Sequence, residues 1–172
     1  MPLIVIAAVV LLVGIDQIIK LWASQTLAAV GSIPVIEGVF EFSYVENRGA
    51  AFGILQDQRW IFIVLTIAVV LAAVWLLFSG RVKSWLVRIP IILALAGGVG
   101  NLIDRIWHGY VVDMFYFKLI DFAVFNFADV CVVVGCIWLI LSILFVPDAI
   151  RWRKTPAAPE GENGGETHTG SK

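Results

Sequence analysis

The sequence predicts an all-α polytopic membrane protein with four transmembrane helices, both termini on the cytoplasmic side, and a small extracytoplasmic β-element. Three observations carry that prediction. The 172-residue chain is 60% hydrophobic and 15% charged, against about 45–50% and about 25% in soluble domains, and its mean hydropathy is +0.95. Eight of the 25 charged residues lie at or beyond Asp148, so what precedes is too poor in charge to cover a water-facing surface. A lipid-facing surface needs none. Four segments also reach the roughly 20 apolar residues that a spanning helix requires.

The first span runs from about Leu3 to Leu27 and is interrupted by Asp16 and Lys20. A cleavable signal peptide is a poorer reading of it, because it lacks a basic n-region and has Asp16 where the apolar core should continue. Trp60 to Phe78 is free of charge, Trp85 to Arg105 ends in a Gly-rich outer half, and the fourth span runs from near Asp129 to Pro147. Orientation follows from the basic residues. Arg81, Lys83 and Arg88 crowd the short second link, and Arg151, Arg153 and Lys154 follow span four. The other two loops, about 28–59 and 106–125, hold Arg48, Arg59, Arg105 and Lys118. Density therefore puts both termini inside, with Trp22, Trp60 and Trp107 near the outer interface and Trp85 and Trp152 near the inner one.

Within the outer loops, Phe40, Phe42 and Tyr44 alternate with Glu41 and Ser43, the two-residue period of a strand. Val111 to Phe117 is a second β-prone run. A small sheet on the membrane surface accommodates both. Residues 1–150 thus form one membrane domain, and the aromatic-free stretch within 151–172 is a disordered cytoplasmic tail. A net charge of −1 offers no basic stripe for nucleic acid, and Cys131 and Cys136 make neither a disulfide framework nor a zinc site. The expected partners are membrane lipids.

Ionisable groups at membrane depth cost at least ~2.5–3.5 kcal/mol each on insertion, which makes them functional suspects. Asp16 and Lys20, four apart, share a helix face and can pair; they either lock span one to its neighbours or take part directly. Gly97, Asn101 and Asp104 lie on one face of span three, where glycines permit close approach of another backbone or a substrate. Asn126 and Asp129 open span four. Spans three and four run in opposite directions, so Asp104 and Asp129 reach one outer depth, and Asp113 in the loop between them can join. Two aspartates about 3 Å apart cannot both ionise and titrate as a unit. The ionised member can activate water while the protonated one polarises a carbonyl, with no metal or other cofactor. These residues alone do not choose between Asp104 and Asp113. The small-residue loop Asn47 to Gly53 reads as a turn, or as a loop whose Asn47 and Gly49 meet an extended substrate backbone.

Other chemistries fit less well. A Ser24–Lys20 pair needs a neutral lysine with no anion nearby, and Asp16 is one turn away. A thiol protease on Cys131 would depend on His108, and buried cysteines in a span are usually inert. A proton relay or transporter would distribute carboxylates across the bilayer and favours internal repeats or broken helices; here only Asp16 lies well inside. A purely structural scaffold leaves the Asn-x-x-Asp faces unexplained.

Five ordered motifs resemble the lipoprotein signal peptidase family, also called signal peptidase II: DQIIK (Asp16 to Lys20), NRGAAFG (Asn47 to Gly53), GGVGNLIDR (Gly97 to Arg105), VVD (Val111 to Asp113) and FNFAD (Phe125 to Asp129). The resemblance covers roughly residues 3–147. It implies a monomeric aspartic endopeptidase of the bacterial inner membrane that acts near the outer face. Such an enzyme cuts prolipoproteins immediately before their diacylglyceryl-modified cysteine. It further implies Asp113 and Asp129 as the catalytic pair. Asp104, Asn101 and Arg105 would position the pair and substrate, Asn126 would orient Asp129, and Asp16 and Lys20 would support the cluster. Asp104, deeper and beside Arg105, suits an ion-paired structural role. Tyr116 and Val132 depart from the family pattern, which bears on substrate preference.

Overall fold

The computed structural model describes residues 2–49, 55–145 and 150. Part of the small-residue loop, the end of the fourth span and the tail, with its basic cluster, lie outside the described residues.

Among the described residues, four helices are long and apolar enough to cross a membrane: α1 (Pro2–Val30), α2 (Arg59–Phe78), α3 (Trp85–Trp107) and α4 (Phe127–Phe145). Each matches a predicted span within a few residues at its described ends. Their large apolar side chains, such as Val10 at 64% and Leu71 at 63% exposure, point outward, as a lipid-facing surface requires. α3 is the central helix. It packs against each of the other three, whereas α2 packs chiefly on α3.

Two local features explain how α3 and α4 fit together. Pro90 lies inside α3 and cannot donate a hydrogen bond to the carbonyl of Leu86 four residues back. The Ser142 hydroxyl of α4 donates to that carbonyl instead, at 2.8 Å, so a backbone acceptor freed inside the membrane finds a partner on the neighbouring helix. Opposite Pro90 stands Gly135. A Cβ there would lie 2.7 Å from the Pro90 carbonyl oxygen, so only glycine lets the two backbones come this close.

The outer ends of the helices carry a three-stranded antiparallel sheet in the order β1-β2-β3: β1 (Ser32–Ile36), β2 (Phe40–Asn47) and β3 (Val111–Tyr116). β2 and β3 are the two expected strands. The third, β1, is new; it turns back through Gly38 at φ +72° and pairs Ile33 with Phe42. Pro34 breaks the apolar run there and suits an edge strand, which can spare an N–H. The sheet rests on α1 through a buried cluster of Ala23, Leu27, Val112 and Met114. Beyond β3, a single 3-10 turn (Lys118–Ile120) leads to Phe125, whose backbone exchanges hydrogen bonds with Phe115 at 2.8 and 3.1 Å. That bridge fixes where α4 begins. A second buried cluster joins α1, α2 and α3 through Val5, Leu77, Val82, Val87 and Ile91, with Leu139 of α4 packed against it.

Candidate active site

α4 opens with reciprocal capping. The Asn126 side-chain oxygen accepts from the N–H of Asp129 at 2.9 Å, and the Asp129 carboxylate accepts from the N–H of Asn126 at 3.1 Å. Asn126-x-x-Asp129 is a capping box, in which each side chain satisfies an N–H that the helix leaves unpaired. The same two residues reach further. The Asn126 amide donates to Asp113 at 2.6 Å, and Asp129 accepts from the Asn101 amide of α3 at 2.8 Å. Asp113 stands in mid-β3, 1% exposed, and also accepts from Asn47 of β2 at 2.9 Å. Its strand is held by register, with Asp113 opposite Val45. One asparagine thus touches both carboxylates, and both line a single cavity of about 510 Å³.

Burial, and next the negative charge of Asp129, push the Asp113 carboxyl up to about 7, against the donors Asn47 and Asn126 that favour its ionised form. A group so poised can hold a proton near neutral pH and release it.

Below the cavity lies a charged cluster. Lys20 Nζ sits 2.9 Å from Asp16 and 2.9 Å from Asp104, and all three residues are at most 3% exposed. Lys20 also donates to the Asn101 side-chain oxygen at 2.8 Å. Asp16 accepts from the N–H of Ala128 at 3.0 Å, so the aspartate expected well inside the bilayer is level with the first turn of α4. Asp104 accepts from the N–H of Val112 at 3.3 Å, which ties α3 to the strand that carries Asp113.

One expectation needs correction here. Arg105 is not the ion partner of Asp104; Lys20 is. Arg105 reaches the Gly49 carbonyl at 3.2 Å and its own Asn101 carbonyl at 3.4 Å, lies over the Phe62 ring at 4.9 Å, and lines the cavity. Neighbours in a helix point about 100° apart, so adjacency did not imply contact. Asn47, read from sequence as part of a turn or as a substrate contact, donates its amide to Asp113 and accepts the N–H of Gly49 on its side-chain oxygen at 3.0 Å.

Of the ten residues singled out by sequence, Asn47, Asn101, Arg105, Asp113 and Asp129 line the cavity. Asn126 binds both aspartates from behind, Gly49 takes Arg105, and Asp16, Lys20 and Asp104 form the cluster beneath. Gln17 was missed. Its amide donates to Asp104 at 3.0 Å and to the Gly100 carbonyl at 3.3 Å; its place beside Asp16 on a span was the available signal. The rest of the cavity wall is apolar: Phe62 from α2, Val111 from β3, Phe122 to Phe125 before α4, and Val130, Val133 and Val134 from α4. The other chemistries fare poorly against this geometry. Lys20 lies between two carboxylates, and Cys131 is buried.

A family model described as signal peptidase (SPase) II matches residues 8–145. The chain is 45% identical over 146 residues to a lipoprotein signal peptidase of Clostridioides difficile (strain 630), covering 85% of this chain and 98% of that one. To the lipoprotein signal peptidase of Streptococcus thermophilus (strain CNRZ 1066) it is 47% identical over 137 residues, which is 79% of this chain and 89% of the other. Among solved structures, a bacterial membrane enzyme determined by the in meso method at 2.3 Å resolution superposes with a TM-score of 0.76 at 32% identity, over 81% of this chain and 87% of that chain. A second, at 1.9 Å resolution, gives 0.74 at 31% identity, over 83% and 94%. With five motifs in order, four membrane-crossing helices and a family match over most of its length, this chain belongs to the signal peptidase II family and is a multi-pass membrane peptidase.

Proposed function

We propose that this chain removes signal peptides from bacterial prolipoproteins, cutting the bond before the diacylglyceryl-modified cysteine with Asp113 and Asp129 as an aspartate dyad. The observation that carries the reading is the shared partner: two carboxylates from a strand and a helix both bind Asn126 and both open on one cavity. The Lys/Arg bias supports the reading that this cavity opens at the outer face of the membrane.

The roles follow from the surroundings. Asp129 is half-buried and accepts from Asn101 and from the N–H of Asn126 at the positive end of α4, which suits the member that carries the charge. Asp113, with its raised pKa, is the member that holds the proton. Asp129 takes a proton from water as the water oxygen attacks the scissile carbonyl carbon; Asp113 gives its proton to the carbonyl oxygen. The tetrahedral intermediate then collapses. The C–N bond breaks, the amine leaves with the proton gained by Asp129, and Asp113 recovers the hydroxyl proton. The dyad is thereby reset.

The supporting residues act through position. Asn126 holds the two carboxylates, Asn47 steadies Asp113, and Asn101 steadies Asp129. Arg105 ties the Gly49 loop to the cavity wall, while Asp16, Lys20 and Asp104 bind α1, α3 and α4 beneath the site. The apolar wall suits the substrate's acyl chains, and among the described residues α2 packs chiefly on α3 rather than on α4, which leaves a path from the bilayer.

The test is a gel-shift assay on purified protein in lipid, given a diacylglyceryl-modified precursor and the same precursor without lipid. Cleavage of the modified form alone, lost in Asp129→Asn, is the expected outcome. Failure to cut either by a folded protein would overturn the reading.

A further inference from the structure

We propose that the segment from Phe117 to Phe122 is a lipid-inserted lip: it dips into the bilayer leaflet on the sheet side and seats the cavity mouth at the membrane surface. The segment is unusual for a loop outside the spans. Leu119 and Ile120 are each 69% exposed, and Phe117 and Phe122 are 43% and 44% exposed. Four such side chains in six residues expose much apolar area, which in water would be a liability.

Both of its charged side chains and three of its backbone donors are answered within the protein. Lys118 pairs with Glu41 of β2 at 3.1 Å. Asp121 accepts from the Tyr116 hydroxyl at 2.6 Å. The backbone N–H groups of Leu119, Asp121 and Phe122 donate to the carbonyls of Val39, Lys118 and Phe117 at 3.1–3.3 Å. To close the turn, Asp121 adopts a left-handed conformation at φ +48°, which costs a non-glycine residue energy. A loop bathed in water has no need to satisfy both its charges and its donors internally. A loop that leaves water does.

The lip also continues a surface that already meets lipid. Phe122 is both its last residue and part of the cavity wall, which runs on through Val130, Val133 and Val134 down α4. On its other side, Phe117 packs on Phe40 with ring centroids 5.0 Å apart, and the chain of rings passes through Phe42 to Trp22 on α1. Both sides thus join membrane-crossing helices, and the occupant that fits is the headgroup–acyl boundary of the bilayer. The inference rests on the membrane-crossing helices and is independent of which aspartates act.

Nitroxide labels decide it. In a Cys136→Ala background, where Cys131 is buried, single labels go on Leu119→Cys and Ile120→Cys in lipid nanodiscs. Ile140→Cys on the lipid face of α4 and Glu46→Cys on the outer surface serve as references, and each variant is first checked for a cooperative thermal transition. The lip labels should collide readily with oxygen and poorly with a water-soluble nickel chelate, giving a depth parameter between the two references. Nickel accessibility equal to that at Glu46 would overturn the proposal by placing the segment in water. Protection from both collision partners would overturn it too, since a protein surface would then cover the segment. Neither readout requires cleavage, so the result stands apart from the peptidase assay.

Discussion

Lys20 reaches Asp129 through one side chain: the Asn101 oxygen accepts from Lys20 Nζ at 2.8 Å, and its amide nitrogen donates to Asp129 at 2.8 Å. Lys20 and the Asn126 amide, which donates to the same oxygen at 3.2 Å, together fix which end of the Asn101 amide faces the cavity. A lysine can only donate, so it claims the oxygen and turns the NH2 toward the carboxylate. Removing the ammonium leaves Asp16 and Asp104 buried without a counter-charge. Lys20→Met should destabilise the protein by about 3–5 kcal/mol, the usual cost of breaking a buried pair. Thermal unfolding in detergent measures this, and a transition unchanged from the parent would refute the claim.

Asp113→Asn and Asp129→Asn should each lower the cleavage rate by on the order of 10²–10⁴-fold or to background, the scale of a general acid–base contribution. Both should leave the helices and the thermal transition in place. Asp104→Asn should behave in the opposite manner, weakening the fold through its lost pairing with Lys20 before it touches the rate. Retained activity in Asp113→Asn, with loss in a stably folded Asp104→Asn, would move the dyad to Asp104.

The pH dependence follows from Asp113. Its pKa, raised to about 7 by burial and by Asp129, keeps the proton on the general acid below that pH. Activity should fall as pH rises through about 7, and the macroscopic value belongs to the pair. Stability carries the same sign. The folded state holds a proton that the unfolded chain, near its ordinary 3.8, has lost, so between about 4 and 7 the folded state binds more protons and stability declines as pH increases. The contribution is complete below the unfolded value and gone above the folded one. A melting series from pH 5 to 8 should show the decline, and Asp113→Asn should flatten it.

What was legible in the sequence divides along physical lines. The four spans were, because a bilayer demands length and apolarity and little else. β2 and β3 were, through alternation and β-branched residues. β1 was not, since Pro34 interrupts it and every residue is exposed, leaving no buried face to impose a period. Inside the site, residues four apart were paired correctly, as with Asp16 and Lys20. The Asp104–Lys20 contact spans 84 positions between two helices, and no local spacing announces it. The family resemblance implies Asn126 as the orienter of Asp129, but its second bond, to Asp113, depends on the Phe115–Phe125 bridge that turns the chain into α4.

The glycines of α3 sharpen this point, because sequence treats them alike and the structure does not. Gly97 faces the backbone of Ala128, and Gly100 faces Asp16, where an added Cβ would stand 2.5 Å from the carboxylate oxygen. Gly98 turns toward α2 and would meet only Thr66 and Val70 methyl groups, at 3.7 Å. Gly98→Ala should therefore be neutral or stabilise by up to about 1 kcal/mol, the helix-propensity gain. Gly97→Ala must push α4 off α3, and Gly100→Ala must shift the Asp16 oxygen that pairs with Lys20 and crowd the Ala128 methyl, each at about 1–3 kcal/mol. Since Ala128 is next to Asp129, both latter variants should also reduce cleavage in proportion to the displaced helix start. Parallel melting and cleavage measurements on the three variants check this ordering. Equal effects at Gly97 and Gly98 would mean that α4 does not approach α3 along the face that carries Asn101.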